Sequence, residues 1–139
     1  MKKVLASKTK PVLKSKKASI GKRALTPQDN AVLGDQILQA GLMQLNPAFG
    51  DLCIRTSGEA YAKPLLSQKT KVLMALVVDI VEQIHGPPFA NHLRMAVQQG
   101  VTQAEMEELL LFMTVYVGFN KAGTFYGPVT EFFATQKRL

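Results

Sequence analysis

The chain has 139 residues, 47% of them hydrophobic, with no tryptophan, a single cysteine and a formal net charge of +7. That length makes one domain, which at such a size buries about two-thirds of its unfolded surface. One cysteine excludes an internal disulfide and a cysteine-built metal site, and with no run of roughly 18 apolar residues no transmembrane helix is expected.

The positive charge is local. Residues 1–23 hold nine Lys or Arg and no acid, whereas the rest of the chain carries eight basic and ten acidic residues. A disordered basic tail over residues 1–24 is therefore expected, followed by a helical domain over 25–139. Three readings of the tail stay open: a solvated extension, an organelle presequence, and an arm for acidic surfaces, including non-specific nucleic-acid contact. Lysine outnumbers arginine in it, which weakens the mitochondrial reading, and it has no aromatic residue for base stacking. The lone Cys53 suits a reducing compartment, so a cytoplasmic location is expected, with the mitochondrial matrix as alternative.

Thr26-Pro27 has the character of a helix start, and Ala31, Leu33, Ile37, Leu38, Leu42 and Leu45 follow at helical spacing, predicting a first helix to about Asn46. Asn46-Pro47 repeats the start signal for a helix through about Ala62, with Phe49, Leu52, Cys53 and Tyr61 expected to be buried; Pro64 stops it. Ser67 then caps the most apolar segment, Val72 to Ile84, whose broad hydrophobic surface predicts subunit contacts. His85-Gly86-Pro87-Pro88 breaks it, and the next helix begins about Phe89. Gly100 can close that helix in the left-handed conformation, while Thr102 and Glu105 form a capping box for a helix over 103–118. A last helix spans about 121–136, with Gly123, Gly127 and Pro128 predicting a kink or late start. The fold class is all-α, with five or six helices.

Residues 92–105 carry the most specific pattern. His92, Ala96 and Gly100 recur every four residues on one helix face. Together with Thr102, Glu105 and the later Tyr116-x-Gly118, and with the upstream segment Gly58-Glu59-Ala60-Tyr61-x2-Pro64-Leu65-Leu66-Ser67-x-Lys69-Thr70-Lys71, this order and spacing resembles the carboxymuconolactone decarboxylase family. The resemblance covers roughly residues 45–135. It implies an alkylhydroperoxidase D-like helical domain that forms a homo-oligomer, a trimer or hexamer, with active sites near interfaces. The family's peroxidase branch has a Cys-x-x-Cys pair where this chain has His85 and Pro88, so thiol-based peroxide reduction is not expected. That branch also has an acidic residue where this chain has Val72 and Leu73, so any proton relay must differ.

His92 is the main catalytic candidate, because imidazole can donate or accept a proton near neutral pH; a buried histidine bonded to a backbone carbonyl is the structural alternative. His85 could reach the same pocket or cap a helix end. Glu59 could orient His92 or remain an exposed surface charge. Two histidines alone make a poor metal site, so no metal is expected. Arg55, Lys71 and Arg94 are candidates for holding a substrate carboxylate, and Tyr116 of the Tyr-x-Gly motif joins the substrate-binding set. Lys71 stands where the family commonly has arginine, and Asn120 where it has proline.

The resemblance implies a cofactor-free decarboxylase acting on a small lactone acid like 4-carboxymuconolactone, in aromatic catabolism. A non-catalytic oligomer whose basic tail engages an acidic partner is the alternative. Peroxide chemistry through Cys53 alone is a third reading, without a resolving thiol in the chain.

Overall fold

A computed structural model describes residues 23–138. The tail reading therefore falls mostly outside the described residues; Arg23, at its end, is bound to Asp29 at 2.9 Å.

All regular structure in this range is helical: α1 (Gln36–Leu45), α2 (Pro47–Tyr61), α3 (Gln68–Glu82), α4 (Pro87–Gln98), α5 (Gln103–Val117), α6 (Phe119–Gly123) and α7 (Tyr126–Gln136). The core is built by same-face repeats on four of them. Val72, Leu76 and Ile80 of α3 meet Leu93 and Ala96 of α4, Met106, Leu110 and Met113 of α5, and Val129 and Phe133 of α7, with Phe125 filling the centre. This cluster is the all-α core expected from the sequence.

The helix punctuation follows the side-chain chemistry. Ser67 Oγ accepts from Thr70 N–H and starts α3. Thr102 and Glu105 satisfy each other's backbone N–H groups at the start of α5. Gly100, at φ 83°, makes the turn between α4 and α5. The expected last helix is divided at Thr124 and Phe125 into α6 and α7, and Pro128 sits in the first turn of α7, where no helical N–H is needed.

The first helix begins nine residues later than Thr26-Pro27 predicts, with Asp35 rather than Thr26 as its cap. Asp29 folds back to accept from both the N–H and the hydroxyl of Thr26, closing a single turn. Asn30 Oδ1 then takes the N–H groups of Val32 and Leu33, and Asp35 caps the real start by accepting from Leu38. Gly34 packs directly on the Thr26 backbone, where an added Cβ would lie 2.1 Å from the carbonyl carbon. Local polar side chains thus outcompete the helical spacing of Ala31 and Leu33.

Two expected core residues are not buried within this chain: Phe49 and Leu52 of α2 are more than half exposed. The contacts of α2 with its neighbours are made instead through Gly50 and Gly58, eight residues apart on one face, which bring the backbone against Leu42 and Met43 and against Leu33. That register makes α1 and α2 an antiparallel hairpin joined at Asn46, whose side chain caps α2 through Phe49 N–H. On α3, Met74, Val78 and Val81 also remain exposed, as do Leu111, Phe112, Val115 and Tyr116 on α5.

A candidate acid–base site between the hairpin and α4

The hairpin does not close tightly on α4. Between them lies a cavity of about 480 Å³, walled by Leu38, Leu42 and Leu45 of α1, by Phe49, Cys53, Ser57 and Tyr61 of α2, and by Pro87, Pro88, Asn91, His92 and Met95 of α4. Polar ties fix the hairpin beside this space. The carbonyl of Tyr61, at the end of α2, accepts from Gln68 Nε2 and Lys71 Nζ, Gln68 Oε1 takes Ala31 N–H, and Asn30 Nδ2 donates to the Gly58 carbonyl. At the start of α1, Asp35 pairs with Arg94 of α4 at 2.7 Å, both side chains being largely buried.

His92 is the imidazole on the cavity wall. Its Nδ1 lies 2.6 Å from Asp79 Oδ2, and the Asp79 side chain is 3% exposed. Asp79 belongs to the buried face of α3, one helical turn after Leu76, where a lone carboxylate requires a hydrogen-bonded partner. A carboxylate only accepts, so Nδ1 donates and Nε2 is left without a partner among the described residues. The ring is thereby oriented and its tautomer set, with one nitrogen available to a molecule in the cavity.

Tyr61 stands close to this pair. Burial, and then the Asp79 charge, push its phenol above the ordinary value of 10.0, so it keeps its proton and remains a donor. Ser57 and Asn91 add a hydroxyl and an amide to the same wall, and Cys53 Sγ lies 4.0 Å from Ser57 Oγ.

The other residues singled out from the sequence lie elsewhere. Glu59 is exposed on α2 and makes no bond to His92. His85 stacks on Phe125, ring centroids 4.2 Å apart, with Nε2 3.5 Å from Thr124 Oγ1, and does not line the cavity. Arg55 is exposed and bound to Asp51 one turn earlier. Lys71 donates to the Tyr61 and Lys63 carbonyls at the end of α2, and Arg94 is engaged by Asp35. Tyr116 is exposed against Phe112. Among the described residues no Lys or Arg lines the cavity wall, and no three His, Cys, Asp or Glu side chains converge as a metal site.

Asp79 is the functional candidate that the sequence reading passed over. Glu59 was the acidic partner expected for His92, yet a charge inside Val-Leu-Met-Ala-Leu-Val-Val-Asp-Ile-Val, in phase with Val72 and Leu76, is itself a signal. An ionisable group on the buried face of an otherwise apolar helix must be paired, and such pairs mark sites.

No curated protein and no solved structure matches the chain. A family model, described as the carboxymuconolactone decarboxylase family, matches residues 47–131, from the first residue of α2 to the first half of α7, and so includes Cys53, Ser57, Tyr61, Asp79, Asn91 and His92. With well over half its length matched, and with an all-helical fold around a histidine-bearing α4, the chain belongs to the carboxymuconolactone decarboxylase family.

Proposed function

We propose that the protein is a cofactor-independent decarboxylase of a small lactone carboxylic acid, with His92 as general acid and base and Asp79 as the group that orients it. The observation that supports this reading best is the 2.6 Å contact of Asp79 with His92 Nδ1 at the wall of a cavity, which leaves Nε2 for substrate.

In this reading the bond from the ring carbon to the carboxylate carbon breaks, CO2 leaves, and the electron pair passes into the lactone carbonyl as a dienolate. Tyr61, Ser57 and Asn91 are the donors available to the developing oxyanion. The protonated His92 delivers the Nε2 proton to carbon, is left neutral with its proton on Nδ1, and regains one from solvent, while Asp79 stabilises the charged ring before delivery and after reprotonation. Assembly into a homo-oligomer belongs to the same proposal, because the exposed apolar side chains of α3 and α5 form faces that a second copy would cover.

The test is release of CO2 from 4-carboxymuconolactone by purified protein, followed with ultraviolet absorbance and with His92→Ala run in parallel. Release by the native chain and a loss of about 10²-fold or more in the variant are expected; equal rates in both would remove His92 from the mechanism.

A further inference from the structure

The cavity is longer and more apolar than a single-ring lactone acid requires. On α2, Phe49, Cys53, Ser57 and Tyr61 recur every four residues, so one helix face supplies a wall about 18 Å long. Polarity changes steadily along that wall. Tyr61 lies near the Asp79 carboxylate, Ser57 is one turn away, Cys53 follows, and Phe49 stands at the α1–α2 corner. The antiparallel α1 sets Leu45 and Leu42 at the same apolar end. Pro87 and Pro88, at the start of α4, line the same cavity. The volume, about 480 Å³, falls in the range that holds a drug-sized ligand.

We propose that the substrate is an amphiphile: a carbonyl-bearing polar head at His92, and an alkyl or aryl body lying along α2 toward Phe49 and Leu45. The identity of the head group rests on the decarboxylase reading; the apolar body rests on the wall alone. A small molecule is the fitting occupant because the apolar surface is concave and continuous with His92, whereas the exposed faces of α3 and α5 lie outside this cavity. Leu45 and Phe49 are exposed at the rim, so a chain can enter or extend there.

Binding of γ-butyrolactone, γ-octalactone and γ-dodecalactone to the full chain, measured by calorimetry, reads this directly and needs no turnover. Affinity should rise by up to about fourfold for each methylene buried, with a saturable single site. Leu45→Glu and Phe49→Ser, both at exposed positions, should remove most of the gain for the long-chain lactones and leave γ-butyrolactone unchanged. A flat series overturns the proposal, as does a chain-length gain that neither variant reduces. A flat series in which Leu45→Glu also lowers the mass seen by light scattering assigns the corner to a second copy and equally overturns it. A clear slope without CO2 release from any alkyl lactone acid defeats the reaction assigned to the site while this inference stands; release without a slope defeats the inference alone.

Discussion

Asp79 of α3 and His92 of α4 are joined by a 2.6 Å hydrogen bond through Nδ1, which ties two core helices together and leaves Nε2 of this cavity-lining residue without a partner among the described residues. One contact thus resolves a structural need, a partner for a buried carboxylate, and supplies an oriented imidazole. Long-range ¹⁵N–¹H NMR should find neutral His92 protonated at Nδ1 in the native chain. In Asp79→Leu the preference should shift toward Nε2, the commoner tautomer of a free imidazole; an unchanged tautomer would show that Asp79 does not set it.

The Asp35–Arg94 pair should matter more to stability than to chemistry. Asp35 is 1% exposed in its side chain and also caps α1, so Arg94→Ala leaves a buried charge without its partner. A loss of about 3–5 kcal/mol in urea unfolding is expected. Asp35→Ser combined with Arg94→Leu should recover most of it, since serine keeps the cap and no unpaired charge remains. Similar losses in the single and double variants would contradict this.

Two glycines near the hairpin should respond in opposite directions. At Gly34 an added Cβ meets the Thr26 backbone at 2.1 Å, which no side-chain rotation relieves, so Gly34→Ala should destabilise by about 1–3 kcal/mol. Gly41, within α1, has open space around it, and Gly41→Ala should stabilise by about 0.5–1 kcal/mol. Thermal unfolding of the two variants checks both signs.

Tyr61 gives a pH signature. Its folded pKa is raised above the unfolded value of 10.0, first by burial and then by the Asp79 charge. The unfolded chain therefore loses this proton before the folded one. The contribution of the phenol to stability is complete below pH 10 and declines as pH rises beyond it. Tyrosinate absorbance should show one residue titrating late, absent from Tyr61→Phe, and the alkaline loss of stability should be smaller in that variant.

Much of the fold was legible because helix ends are written in short-range chemistry. Ser67, Thr102 with Glu105, and Gly100 each act within a turn of their own position. The start of α1 was not legible in that way: Asp29, Asn30 and Asp35 compete for the same backbone N–H groups, and periodicity alone does not say which cap wins. His92 stood out through its motif, but its partner is thirteen residues away on another helix, a relationship that only packing creates. Exposure of Phe49 and Leu52 was illegible for a related reason, since residue type marks an apolar surface without saying whether this chain, a ligand or a second copy covers it.

In the proposed reaction Asp79 and His92 act as one unit, which a double-mutant cycle on the rate of lactone-acid decarboxylation reads out by comparing the native chain, Asp79→Asn, His92→Ala and the double variant. His92→Ala should be slower by about 10²-fold or more, and adding Asp79→Asn to it should cost little further. Losses that multiply across the two positions would show instead that the residues act separately.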